Sequence, residues 1–241
     1  RDLHSFPTRR SSDLAMSCYR WDARIETMMT IKTFECNMLQ ENCYVVYDDS
    51  REAVVIDCGA FYDQERKAVV DFIRKEQLQL FRVLCTHGHL DHCFGNDSLY
   101  DAFGVKPEVH GGDEFLMGDL AFQASDFFGM DYDHPAAPIG HFLSDGEQIT
   151  FGTHSLTVIH TPGHTPGGVT FYCAEEHVAF TGDTLFRMSI GRTDFKGSSW
   201  SDMIQSLQRL KHELPAETVI YSGHGSKTLM KEEIAMNPYL R

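Results

Sequence analysis

From Ile31 onward, apolar residues recur in two alternating rhythms: period two over short stretches and a helical period over longer ones. The first rhythm predicts a hairpin from residues 31–36 and 42–47, then a third strand over 53–56 that ends in Asp57-Cys58-Gly59. The second predicts a helix over 64–76, with Ala68, Val69, Phe72 and Ile73 on one face. A short apolar strand over 81–86 follows, then helical stretches at 93–103 and 112–128. Residues 129–143 are rich in Asp, Pro and His and read as a loop. Strands come next at 148–151, 155–160, 168–173 and 177–181, a helix at 199–211, a strand at 218–222, and a last helix at 227–236. Strands outnumber helices, there is no tandem repeat, and the second half mirrors much of the first. Two packed sheets with helices outside are the expected arrangement, in an α+β chain.

Composition narrows the function. A chain of 241 residues is long enough for one domain with a sizeable core. No run of about 18 apolar residues occurs, so a membrane-spanning helix is not expected. The formal net charge of −14 repels phosphate backbones and argues against nucleic-acid binding over a broad face. It says little about a small substrate, because a local metal site outweighs the mean field. The 7 cysteines form no CxxC pair and several lie in apolar runs, which points to buried reduced thiols and a cytoplasmic protein.

Residues 1–28 read differently from the rest. A charged start is followed by no apolar signal-peptide core. The stretch His4-Ser5-Phe6-Pro7-Thr8-Arg9-Arg10-Ser11-Ser12-Asp13-Leu14 resembles the translation of a common sequencing-library adapter. The expectation is a non-native or disordered leader over 1–28, followed by one domain over 29–241. The leader carries five basic residues (Arg1, Arg9, Arg10, Arg20, Arg24) and four acidic ones (Asp2, Asp13, Asp22, Glu26), so the acidity belongs to the domain.

The chemistry concentrates in Thr86-His87-Gly88-His89-Leu90-Asp91-His92, which packs four potential ligands into six positions directly after a predicted strand. Three more junctions repeat that placement. His164 lies in Thr161-Pro162-Gly163-His164-Thr165-Pro166-Gly167-Gly168, Asp183 in Thr181-Gly182-Asp183-Thr184, and His224 in Ser222-Gly223-His224-Gly225. A strand end fixes direction, and the adjoining glycines permit tight turns and close approach. Imidazole and carboxylate together suit zinc, iron or manganese.

The set HxHxDH, a lone His in TPGHTPGG, then GDT and GHG resembles the signature of the metallo-β-lactamase superfamily, over essentially Ile31 to the end of the chain. The resemblance implies an αββα four-layer sandwich with two divalent metal ions at one edge of the sheets, zinc first, with iron or manganese as alternatives. His87, His89 and His164 would hold one ion, Asp91, His92 and His224 the other, and Asp183 would bridge them. Asp91 would also orient an attacking hydroxide. The bridging Asp, where true β-lactamases usually differ, argues against antibiotic hydrolysis.

Thr181-Gly182-Asp183-Thr184-Leu185-Phe186, Ile190-Gly191-Arg192-Thr193-Asp194-Phe195 and Asn237-Pro238-Tyr239-Leu240 further resemble the hydroxyacylglutathione hydrolase (glyoxalase II) group, especially its short bacterial members. These lack the extra C-terminal helical domain of longer relatives, and here seventeen residues follow His224. The implied reaction is hydrolysis of a thioester such as S-lactoylglutathione, a small-molecule substrate, with neither nucleic acid nor membrane as partner. Arg192 matches a basic glutathione contact of the long enzymes, whereas Asp194 stands where a tyrosine would be expected. Arg192 is equally open to an ion pair with Asp194 or Asp183. Three rivals share the fold: a persulfide dioxygenase with one iron on His87, His164 and Asp183, a lactonase, and a nuclease, which the charge disfavours. His134 and His141 could border the pocket through their loop. Trp200, Phe127 and Phe128 read as packing residues.

Overall fold

The computed structural model describes residues 28–241. Residues 1–27, and with them nearly all of the adapter-like leader and Cys18, lie outside the described residues. In chain order the elements are β1 (Thr30–Cys36), β2 (Glu41–Tyr47), β3 (Glu52–Ile56), α1 (Asp63–Lys75), β4 (Gln79–Leu84), α2 (Leu90–Cys93), α3 (Asn96–Phe103), β5 (Pro107–His110), a 3₁₀ turn (Gly111–Asp113), α4 (Glu114–Met117), α5 (Leu120–Phe128) and β6 (His141–Leu143). The second half holds β7 (Gln148–Phe151), β8 (His154–His160), β9 (Val169–Cys173), β10 (Val178–Gly182), the small hairpin β11 (Leu185–Phe186) and β12 (Ser189–Ile190), α6 (Trp200–Glu213), β13 (Val219–Ser222), β14 (Thr228–Leu229) and α7 (Met230–Met236).

Two sheets form, ordered β1-β2-β3-β4-β5-β6 and β14-β13-β10-β9-β8-β7. Strand β2 shows why they become layers. Its even positions, Tyr44 and Val46, join Phe151, Leu156, Val158, Phe171 and Phe180 in the core between the sheets. Its odd positions, Cys43 and Val45, meet Val69 and Ile73 of α1 and Leu99 of α3 on the outer face. A strand buried on both sides must therefore be apolar at nearly every position, as Cys43-Tyr44-Val45-Val46 is. The other sheet repeats this scheme: Ile159, Ala179 and Ile220 pack outward against Leu207 and Leu210 of α6 and Met230 of α7. The result is the four-layer αββα sandwich. Each fully buried aliphatic or Phe side chain contributes about 1.5–3 kcal/mol.

Differences from the sequence reading cluster beside the site. The stretch read as a helix over 93–103 is α3 from Asn96 onward, while a separate short helix, α2, ends at Cys93; the backbone turns between them at Gly95, whose N–H bonds to the Cys58 carbonyl (2.8 Å). The helix read over 112–128 is broken at Gly118-Asp119, glycine being a poor helix former. Strands β5 and β6 were not legible: at four and three residues they are too short to show an alternation, and become strands by parallel pairing, Val83 with Pro107 and Glu108 with His141. The junction between α2 and α3 is anchored by Arg66, a buried side chain on α1. Its guanidinium holds the Asp97 carboxylate (2.6 and 2.8 Å) and the Phe94 carbonyl. Among the described residues no helix is long and apolar enough to cross a membrane.

Candidate metal centre

All seven candidate ligands converge on one edge of the sandwich. His87, His89, Asp91 and His92 follow β4 into the first turn of α2, His164 follows β8, Asp183 follows β10, and His224 follows β13. Two sheets meet here because Gly182, at φ +48°, lies directly on Thr86, where a Cβ would overlap the threonine side chain.

The ligand atoms fall into two groups. Those of His87, His89 and His164 lie within 4.8 Å of one another, and so do those of Asp91, His92 and His224. His89 Nδ1 and His164 Nε2 are 2.9 Å apart, aimed at one spot. In the second group, His224 Nε2 is 3.3 Å from Asp91 Oδ2, and His92 Nε2 is 3.7 Å from the same oxygen. Asp183 spans both: one carboxylate oxygen is 3.4 Å from His92 Nε2, and the other is 3.5 Å from His164 Nε2 and 3.7 Å from His224 Nε2.

Hydrogen bonds behind the rings set which nitrogen faces the centre. His164 Nδ1 meets the Arg192 carbonyl at 2.8 Å and His224 Nδ1 meets the Leu39 carbonyl at 3.1 Å. A carbonyl only accepts, so each Nδ1 carries the proton and each Nε2 presents a lone pair. Thr86 donates through Oγ1 to Asp57 Oδ2 (2.6 Å), so its hydroxyl oxygen accepts from His87 Nδ1 (3.1 Å). Asp57 Oδ2 also faces His92 Nδ1 at 3.1 Å. His87 Nε2, His92 Nε2 and Asp183 Oδ1 are consequently buried with no hydrogen-bond partner. Buried polar atoms left bare are costly, and lone pairs converging at one place are what a divalent cation satisfies. The donor set fits two such ions.

The charge balance differs between the groups. Burial, reinforced by neighbouring imidazoles, pushes the His87 pKa well down and His89 to about 3. For His92, burial is outweighed by the Asp183 and Asp91 carboxylates, and its pKa rises well above the ordinary value. His224 is raised by its Asp91 hydrogen bond and by Asp183, again against burial. Burial would raise Asp91 and Asp183, but the cationic forms of His92 and its neighbours hold both below the usual carboxylate range.

A cleft of about 700 Å³ opens over the centre, lined among others by Leu39, Asp126, Phe127, Phe186, Arg192 and Phe195. Phe127 is not a packing residue: it is 42% exposed and its ring lies edge-on to His89 and tilted against Phe195. Phe128 divides its surface between the cleft and the cluster under α5, whereas Trp200 is exposed and lies edge-on to Tyr239. His134 and His141 lie away from the cleft, beside Asp97 and Glu147. Arg192 lines the cleft and is also paired: its Nε and Nη2 bond both Asp194 oxygens at 2.6 and 2.7 Å, and its guanidinium sits 4.3 Å from the Phe195 ring centre.

This fold and site define a metallo-hydrolase. The chain belongs to the metallo-β-lactamase superfamily, whose family model matches residues 36–224. It is 36% identical, over 88% of its length and 98% of the relative's, to the hydroxyacylglutathione hydrolase GloC of Haemophilus influenzae. Among solved structures it is similar to the BLEG-1 B3 metallo-β-lactamase (35% identity, TM-score 0.80, 88% of this chain and 99% of that one). It is also similar to TTHA1623 in a di-iron-bound form (33% identity, TM-score 0.77, 87% and 100%).

Sequence reasoning missed Asp57, Asp113, Phe127 and Phe195. Asp57 carried a usable signal, since it ends a strand as the ligands do. Asp113 carried none, because it falls inside a stretch that reads as helix.

Proposed function

We propose that the protein is a binuclear metal-dependent thioester hydrolase acting on S-lactoylglutathione or a related hydroxyacyl thioester. One observation carries the binuclear part: the Asp183 carboxylate spans both ligand groups and keeps a buried oxygen unpaired. His87, His89 and His164 would hold one ion and Asp91, His92 and His224 the other, with Asp183 shared; zinc is the first candidate, with iron or manganese as alternatives. Bound there, such ions lower the pKa of a water and polarise a carbonyl oxygen. The protein's part is to aim and deprotonate. Asp91, ionised at neutral pH, orients the attacking water and takes its proton at a carboxylate oxygen. Phe127 and Phe195 flank His89 and give the substrate's carbon chain an apolar wall. Arg192 sits where it can meet an anionic group on the thiol half.

A small-molecule substrate, with no nucleic-acid or membrane partner, is part of this reading, and the acidic net charge supports it. The six described cysteines are buried and unpaired, as in a protein of the reducing cytoplasm.

Metal analysis of purified protein, paired with a substrate panel, tests the proposal. The expected result is two ions per chain and hydrolysis of S-lactoylglutathione, both lost on metal removal. One iron per chain with persulfide-dependent oxygen uptake would make the protein a dioxygenase. Turnover of lactones or a cephalosporin without thioester cleavage would reassign the substrate, and full activity of metal-free protein would remove the scheme.

A further inference from the structure

We propose that Asp113 is a positioning residue that clamps the two loops bearing His87, His89 and His164 into one frame and thereby sets the metal affinity of that half of the centre. The inference rests on the metal-centre reading above. Asp113 belongs to neither loop. It ends the 3₁₀ turn after β5 and is wholly buried. Its Oδ2 accepts from the backbone N–H of Gly88 (2.9 Å), the residue between His87 and His89. The same oxygen accepts from Thr165 Oγ1 (2.7 Å), next to His164, and Oδ1 accepts from the Gly167 N–H (2.6 Å). Three donors from two loops thus end on one carboxylate, across sequence separations of 25, 52 and 54 residues.

The loops are shaped for this contact. A Cβ on Gly167 would come within 2.6 to 2.7 Å of the Asp113 backbone nitrogen, Cγ and Oδ1, so only glycine lets the second loop approach. Gln123 braces the first loop alone: it donates to the Gly88 carbonyl (3.3 Å) and accepts from the Leu90 N–H (3.0 Å). Asp113 reaches both loops. The other ligand group leans elsewhere, His92 on Asp57 and His224 on the Leu39 carbonyl. A residue that orients ligands without touching the ion typically changes metal affinity about 10–100-fold. Asp91 and His92 continue the Gly88 loop into α2, but His92 has its own support in Asp57 and both Asp113-bound loops carry His87, His89 or His164, so the larger effect falls on the ion of that group.

Asp113→Asn keeps the volume but turns an NH₂ group toward donors. A carboxamide oxygen cannot serve all three, so at least one backbone N–H is left without an acceptor. The test uses the full-length, metal-loaded protein challenged with a chromophoric chelator, with metal retained per chain as the readout. A second readout is the visible spectrum of the cobalt-substituted protein. Asp113→Asn is expected to lose one ion about tenfold or more readily while the other is weakened by a smaller factor, with the cobalt bands of one site altered most. Thr165→Val removes one of the three bonds and should weaken the same ion by a smaller factor; it carries the test if Asp113→Asn fails to fold. Wild-type retention of both ions in both variants, or equal weakening of both ions, overturns the proposal. The wild-type count is read separately. If wild type holds one ion, the binuclear reading fails, while the clamp still stands or falls on whether that ion is lost more readily.

Discussion

The two halves of the metal centre are built differently. His87, His89 and His164 form an all-imidazole group held from behind by neutral or fully paired partners: the Thr86 hydroxyl, the Arg192 carbonyl and the Asp113 carboxylate. Asp91, His92 and His224 mix carboxylate with imidazole, and His92 is further paired with Asp57. Two arrangements of similar ligands thus carry opposite proton demands. In the first, burial and mutual repulsion keep His87 and His89 neutral, ready for a cation. In the second, nearby carboxylates favour protons on His92 and His224, so an arriving cation must displace them. The lesson is that the placement of carboxylates among similar imidazoles decides which of them favour a proton.

The largest effect should come from removing what the halves share. Asp183→Ala is expected to lose both ions and bring thioester hydrolysis below detection, read by metal analysis and by rate. Retention of one firmly bound ion with activity would mean that the halves work independently.

Acidification should then separate them. The raised His92 and His224 gain protons first as pH falls, so affinity at Asp91, His92 and His224 declines as pH drops through their raised values. His89 resists protonation until about pH 3, and His87 is likewise depressed, so neither imposes a proton cost at pH 5. Metal retained per chain between pH 7.5 and 5 should fall toward one before it falls further. Joint release of both ions over the same interval would erase the contrast.

The smallest effect concerns the rim. Asp194→Asn releases Arg192 from its exposed pair, and such pairs are weak. KM for a thioester with an anionic thiol half should drop at most a few-fold with kcat unchanged, while KM for a neutral thioester stays put. Equal change for both substrates would remove Arg192 as an anion contact.

Legibility in the sequence followed the range of the interactions. Each candidate segment follows a strand and carries a glycine, so all seven candidate ligands could be named from short segments, although Asp91 and His92 fall in the first turn of α2. The strands with clean alternation were also legible, and 148–151 matches β7 to the residue. Strands β5 and β6 were not, since Pro107, Glu108 and His110 become a strand only because β4 offers a partner edge. Phe127 looked like packing because a helical pattern does not say whether a face meets core or cleft.

By itself, then, the sequence determined the chemistry of the candidate ligands, their placement in segments that follow strands, and the acidic net charge. Those are properties of side-chain type and of neighbours a few residues apart. Only the tertiary structure decided which nitrogen of each ring faces inward, the distances that gather the candidate ligands into the two groups the family resemblance implied, and that Asp57 and Asp113 stand behind them. These depend on hydrogen bonds between residues 25 to 54 positions apart for Asp113 and 185 apart for His224 and Leu39. No periodicity encodes a partner at that distance; it exists only once two sheets have packed and brought their strand ends together.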